Sequence, residues 1–352
     1  MTFITSNTYI SRTEHDNEEI SMAMQIISIN PKSDKPKFLQ IVDSISQAIS
    51  NGQLNVGDGL PSVNQIIKDF KLSRDTVFKA YSELKERGIV DSVPNKGYFV
   101  STGVKKVFLL LDTIKAYKEV LYADFKKGLP ENYAHTVQFH HYDIDAFKRF
   151  VQDSIGKFSK YIIMPFDNPE VKDVLSKIPK DKLLILDWKT NNSNCKNYLY
   201  QDFGEALYNS LDSGINLIKK YDEFVFLYPE YTNHPYESVE YFKKFCKDNQ
   251  IKHSVEYNSE DLNIKAGKVY ISVSDRILGK SLEQIKERKL TLGKDVGFIS
   301  YNETPMKQFI YNGITVVSTD FGLLGQKAAE FVRIKDEMNY CVPTKLTIRK
   351  SL

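Results

Sequence analysis

Within six consecutive positions the chain places Arg74, Asp75, Thr76, Phe78 and Lys79, which supply a forked cation, a carboxylate, a hydroxyl, an aromatic ring and an ammonium group. On the outer face of a helix such groups can meet phosphates and base edges together, provided the helix enters a major groove. Ser73, just ahead of them, suits an N-cap because its hydroxyl can satisfy an orphan amide one turn in. The apolar spacing of Val77, Ala80, Tyr81 and Leu84 carries that helix to Gly88. Farther on, Pro94-Asn95-Lys96-Gly97 separates Ile89-Val90 from Tyr98-Phe99-Val100, which reads as a two-strand wing with a basic tip. A minor groove or a phosphate backbone would suit that tip.

Other elements must hold this helix in place. Leu39, Val42, Ile45 and Ile49 recur at helical spacing and stop at Asn51-Gly52, a C-cap signal. Gly57-Asp58-Gly59 forces a turn, and Pro61-Ser62 opens a second short helix with Val63, Ile66, Ile67 and Phe70 on its apolar face. Three helices and a hairpin in this order make a winged helix-turn-helix. The same shape also serves as a protein-interaction module, and a net charge of +3 does not decide between the two uses.

The segment 37–100 resembles the GntR-type DNA-binding domain in its Leu-Pro-Ser at 60–62, Ser-Arg-x-Thr-Val at 73–77, Leu-x-x-x-Gly at 84–88 and Gly-x-Phe-Val at 97–100. The resemblance implies that Arg74, Thr76, Lys96 and Gly97 approach double-stranded operator DNA, with Ser62, Asn64, Ser73, Asp75 and Lys79 completing the candidate interface. Asn64 stands where the family usually has an arginine.

A chain of 352 residues, 41% hydrophobic and 26% charged, has the composition of a soluble globular protein with two or three domains. It contains no apolar run long enough to span a membrane, and a cytoplasmic location is expected. Cys195, Cys246 and Cys341 lie far apart without metal-ligand spacing, as ordinary thiols in a reducing compartment would. The polar stretch 1–24 reads as a disordered or non-native extension, since Met22 and Met24 offer alternative starts. The head then occupies 25–101 and a larger body 102–352.

In the body, short apolar runs at 107–111, 137–140, 161–164, 183–186, 224–227, 269–273, 296–299 and 314–317 suit strands buried on both faces of a parallel sheet. Helical patterns at 147–158, 171–178 and 281–288 alternate with them. A long helix carrying Leu207, Leu211, Ile215 and Ile218 divides two lobes after Asp202-Phe203-Gly204. The fold class is therefore α/β with a small α+β head, the body being two-lobed and doubly wound. Ligands of open parallel sheets bind beyond the carboxyl ends of the strands, which here would line a cleft between lobes.

That order of elements resembles the effector domain of LacI/GalR-type repressors, itself similar to type I periplasmic sugar-binding proteins. The resemblance rests on Val273-Ser274-Asp275-Arg276, on Gly297-Phe298-Ile299-Ser300-Tyr301-Asn302-Glu303-Thr304, and on Thr319-Asp320-Phe321-Gly322 leading into a late helix. With a GntR-type head, the whole is similar to the arabinose-repressor type of architecture. Asn302 replaces the family's hydroxyl-gripping aspartate and Ser274 its asparagine, so the ligand's identity does not carry over.

Sugar sites combine aromatic faces with fixed polar groups. Side chains that follow the expected strands supply both: Asp112, Tyr117 and Tyr122; Phe166 and Asp167; Asp187 and Trp188; Tyr228 and Glu230; Asp275 and Arg276; Tyr301 and Asn302; and Asp320. Trp188 could stack on a sugar or pack between lobes, Arg276 could bind a ligand or form a surface ion pair, and Asp275 could instead cap its helix. Adjacent His140 and His141 would point to opposite faces of a strand, so they do not suit one metal ion. No metal, cofactor or catalytic residue is expected.

The leading expectation is a homodimeric, ligand-responsive regulator, such as a repressor, whose effector is a small molecule with a monosaccharide favoured. A pyridoxal-phosphate aminotransferase-like body and a ligand-independent architectural DNA binder are the alternatives.

Overall fold

The computed structural model describes residues 26–93, 97–101, 103–189, 195–258, 260–334 and 336–352. The expected extension 1–24 and the wing-tip residue Lys96 lie outside the described residues. Two compact units are present, the first comprising residues up to 106 with short segments 131–134 and 156–159, the second the rest.

The first unit follows the sequence punctuation closely. Helix α1 (Lys37–Ser50) ends at the Asn51 C-cap. Ser62 caps α2 (Val63–Phe70) by accepting from the Gln65 amide, and Ser73 caps α3 (Arg74–Glu86) by accepting from the Thr76 amide, both at 3.2 Å. Gly88, at φ 72°, ends the last helix with a backbone that glycine adopts without a Cβ clash. The wing holds three strands rather than two, because β1 (Gly59–Leu60) pairs antiparallel with β3 (Gly97–Val100), which also pairs with β2 (Val90–Val93). Ile41, Val42, Ile45, Ile66, Val77, Ala80, Leu84 and Val90 form one core beneath the helices.

Lobe 1, in the second unit apart from the first two residues of β4 and of β5, is a six-stranded sheet of order β5-β4-β6-β7-β8-β14, from β4 (Lys105–Leu111), β5 (Tyr133–Phe139), β6 (Lys160–Ile163), β7 (Leu183–Asp187), β8 (Asn197–Tyr200) and β14 (Asn339–Cys341). Lobe 2 has order β10-β9-β11-β12-β13-β15, from β9 (Glu223–Leu227), β10 (His253–Glu256), β11 (Lys268–Ser272), β12 (Gly297–Tyr301), β13 (Thr315–Thr319) and β15 (Thr344–Thr347). Neighbours β9 through β13 run parallel and β15 antiparallel to β13. All eight expected runs are strands, whereas β8, β10, β14 and β15 add four that the pattern did not reveal.

Lobe 1 carries the helices α4 (Ala116–Gly128), α5 (Ile144–Ser154) and α6 (Val171–Leu175), the last two ending earlier than their apolar spacing suggested. Lobe 2 carries α9 (Glu237–Asp248) and α10 (Asp275–Glu287), the latter starting six residues before the expected 281. The expected long dividing helix is two, α7 (Glu205–Ser213) and α8 (Ile215–Ile218), broken at Gly214. A side chain there would have its Cβ 2.4 Å from Leu346 of β15, so the chain bends where the sheet comes closest. Helix α11 (Phe321–Phe331) follows a lobe 2 strand yet packs on α4 of lobe 1, with Gly325 against the Leu121 carbonyl. Among the described residues the chain therefore changes lobes three times: after β8, after β13 and between β14 and β15.

Candidate functional site

The three changes of lobe lie side by side and are tied by buried polar side chains. The Thr319 hydroxyl donates to Gln201 Oε1 at 2.7 Å and lies 2.7 Å from the Thr344 hydroxyl, joining all three connections. Gln201 Nε2 in turn donates to Asp187 Oδ1 at 2.5 Å. Asp187 ends β7 with φ 76°, a left-handed conformation that aspartate tolerates better than most residues.

Beside this hinge, the carboxyl ends of strands from both sheets enclose a cavity of about 410 Å³. That volume is within the range of small-molecule sites, roughly 300–1,000 Å³. Asp112, Tyr117, Trp188, Asp275, Arg276 and Asn302, which the sequence nominated, line it together with Asp187 and Tyr301. Lys115, Tyr142, Gln201, Phe203, Tyr231 and His234 also line it, without any apolar or strand-end signal of their own, because loops and the lobe connections bring them there.

Lobe 1 offers charge held by hydrogen bonds. Lys118 pairs with Asp112 Oδ1, while the Tyr142 hydroxyl donates to Asp112 Oδ2 at 2.5 Å. Burial pulls the Lys118 ammonium down to about 8, against the attraction of Asp187. Burial likewise raises the Asp187 carboxyl, against Lys118, Gln201 and Lys115. Tyr142 is pushed up to about 12, by burial first and then by Asp187.

Lobe 2 offers hydrogen-bonding atoms without partners. The Tyr301 hydroxyl, His234 Nε2 and Asn302 Oδ1 are buried and make no hydrogen bond among the described residues. Burial, then Lys115, holds the His234 ring neutral, with its pKa lowered to about 3. Lys307, 2% exposed, donates to the carbonyls of Tyr301 and Asn302 at 3.1 and 2.6 Å and pairs with Asp275 at 2.7 Å. Ser274, not Asp275, occupies the N-cap position of α10. The Arg276 guanidinium lies over the Tyr231 ring, 5.6 Å from its centre, and Trp188 meets Phe203 edge-on at 6.2 Å.

Six nominated residues, Tyr122, Phe166, Asp167, Tyr228, Glu230 and Asp320, lie outside this lining. The Tyr122 hydroxyl is 2.9 Å from His135 Nε2 of β5. Phe166 stacks on the buried His140 ring at 4.9 Å within the lobe 1 core, and His140 Nε2 faces the Met164 carbonyl at 3.0 Å. Tyr228 donates to the His234 carbonyl and so supports the lining from behind. Asp320 caps α11, accepting from the Leu323 amide at 2.9 Å. Among the described residues no group of three or more His, Cys, Asp or Glu side chains is placed to hold a metal. Cys195 and Cys246 are buried free thiols and Cys341 an exposed one.

In the first unit, Arg74, Asp75, Phe78 and Lys79 are exposed on α3, and Thr76, half-buried, shares a 2.7 Å hydroxyl contact with Ser73. Lys79 reaches sideways over the Phe38 ring at 4.3 Å. Ser62 and Asn64 are exposed at the start of α2, and Gly97, at φ 97°, opens β3. No helix among the described residues is long and apolar enough to cross a membrane.

Comparison with known proteins divides along the same line. The sequence profile described as "Bacterial regulatory proteins, gntR family" matches residues 37–100. The chain is similar to the uncharacterised HTH-type transcriptional regulator YhcF of Bacillus subtilis (strain 168), 36% identical over 90 residues, which are 26% of this chain and 73% of YhcF. It is also similar to the arabinose metabolism transcriptional repressor of Geobacillus stearothermophilus, 36% identical over 66 residues, 19% of this chain and 18% of that one. Among the first relatives matched, the share of their own length that is spanned runs from 14% to 73%. The body is similar in fold to a LacI family transcriptional regulator from Lactobacillus casei solved with bound glucose, at TM-score 0.58 and 14% identity, covering 70% of this chain and 99% of that one. That two-lobed fold is not the aminotransferase-like alternative. The head carries the kinship: with its winged helix matched throughout and most of YhcF covered, this chain belongs to the gntR family of bacterial regulatory proteins.

Proposed function

We propose that the chain is a cytoplasmic, non-catalytic transcriptional regulator that grips operator DNA as a homodimer and responds to a small polyhydroxylated effector, a monosaccharide in the simplest case. The observation that carries the effector half is the convergence of three unpartnered buried atoms, Tyr301 Oη, His234 Nε2 and Asn302 Oδ1, on one cavity edged by Trp188 and Phe203. Each such atom costs about 1–3 kcal/mol while unpaired, which a ligand hydroxyl would recover. Asp187 and Arg276 add charged partners for further hydroxyls, and the Lactobacillus casei regulator of like fold holds glucose.

Arg74 and Thr76 near the start of α3, with the wing, form the DNA-contacting face in this reading, supported by the gntR kinship. Effector and operator are coupled by population shift: a ligand that prefers one angle between the lobes biases the dimer toward or away from the spacing that two half-sites require. The test is a thermal-shift screen of monosaccharides, sugar acids and sugar phosphates, followed by gel-shift titration of the binding compound against duplexes selected from a random pool. Binding raises the melting temperature by mass action and changes operator affinity. A screen with no binding compound, or a binder that leaves operator affinity unchanged, removes the sensor reading. Arg74→Ala should weaken operator binding at matched salt by about tenfold or more, the worth of one charge-assisted contact. Unchanged affinity would remove α3 from the interface.

A further inference from the structure

Helix α3 buries every apolar side chain it carries except one. Val77, Ala80, Tyr81 and Leu84 are at most 1% exposed, whereas Phe78 is 40% exposed on an outer stripe beside that buried face. Arg74, Phe78 and Ser82 follow one another at four-residue spacing along that outer stripe, and all three are exposed. The Arg74 guanidinium sits over the Phe78 ring, 5.3 Å from its centre, so the ring and the cation limit each other's rotation. Lys79 is engaged sideways with Phe38, which leaves Arg74, Asp75 and Phe78 as the outer groups of the first two turns.

An aromatic ring makes no hydrogen bond to a base edge. The apolar feature that a major groove presents, and that distinguishes one base from the others, is the C5-methyl group of thymine. We infer that Phe78 is a specificity-determining side chain that packs on a thymine methyl, with Arg74 held beside it to bond the neighbouring base edge or phosphate. This rests on the DNA-binding reading above and assigns it one base. The ring's stack with Arg74 lowers the ordering cost of both side chains on binding.

The experiment uses the full chain. Duplexes are selected from a random pool, and each thymine of the selected sequence is then replaced singly by deoxyuridine, which pairs identically but lacks the methyl group. The wild-type chain should lose about fourfold in affinity at one thymine per half-site, the worth of one buried carbon, and nothing comparable elsewhere. Phe78→Ala should bind the thymine duplex about as weakly as the wild type binds the deoxyuridine one, with no further loss on deoxyuridine. Phe78→Leu, still apolar, should keep part of the discrimination. Circular dichroism confirms that each variant folds. Indifference of the wild-type chain to every deoxyuridine, or discrimination that survives in Phe78→Ala, overturns the assignment while leaving DNA binding intact. If no sequence is enriched at all, the DNA-binding reading itself falls and takes the assignment with it.

Discussion

Tyr81 fixes three parts of the head at once. Its ring stacks on Tyr98 of the wing at 4.1 Å, and its hydroxyl donates to the buried Pro61 carbonyl at 2.5 Å, ahead of α2. Tyr81→Phe keeps the stack and strands the carbonyl, so it should destabilise the head by about 1–3 kcal/mol in urea unfolding. His140 governs a different dependence. Burial holds its pKa at about 4, the Met164 carbonyl opposing and Lys118 and His141 assisting. A histidine whose folded pKa is depressed contributes nothing adverse at neutral pH, where both states leave it unprotonated. As the pH falls from about 6.5 toward 4, the unfolded chain takes the proton and the folded one does not, so stability drops, on the order of 2–3 kcal/mol by pH 4.5. His234 adds a loss in the same direction. Unfolding at pH 7 and 4.5 should show a smaller acid penalty for His140→Gln, whose amide can still meet Met164.

Helix pairs depend on closeness that only some glycines provide. At Gly325 a Cβ would stand 2.2 Å from the Leu121 carbonyl oxygen and 2.9 Å from the Phe125 amide nitrogen, both backbone atoms of α4 that cannot swing aside. Gly325→Ala should push α11 off α4 and cost about 1–3 kcal/mol or more. Gly279 of α10 faces open space with nothing within 4 Å. There alanine should stabilise by about 0.5–1 kcal/mol through helix propensity alone. Thermal melts of the two variants should therefore move in opposite directions. The strands show a parallel contrast. Runs such as Leu183–Asp187, buried at every residue, read as strands from their unbroken apolar character. Strand β14 is exposed at every residue and β10 carries no fully buried one, so neither leaves an apolar signature.

At the scale of the body, the lobes are linked covalently through the three connections joined by Gln201, Thr319 and Thr344. Asp187 extends that chain of hydrogen bonds to the cavity wall. Thr319→Val removes the hydroxyl without changing the volume much, and Thr319→Ser retains it. With the compound found by thermal shift, the valine variant should lose about fivefold or more of the ligand's effect on operator affinity, a typical coupling. The serine variant should keep that effect. Equal coupling in both variants would locate the hinge's control elsewhere.

The sequence alone determined the head and the class of the body, because helix caps, turn glycines and apolar periods are local signals that the backbone obeys wherever the chain goes. Ser62, Ser73 and Gly88 act where their chemistry placed them. It also nominated Asp112, Tyr117, Trp188, Asp275, Arg276 and Asn302 for the cavity by their position after strands. Tertiary structure decided which nominees meet, since Tyr122, Phe166 and Asp320 follow strands or lie near their ends but turn to His135 of β5, a core and a cap. It alone brought Gln201, His234 and Thr319 to the hinge and cavity. The Gln201–Thr319 contact joins residues 118 positions apart, and separation of that kind leaves no periodic trace in a single chain.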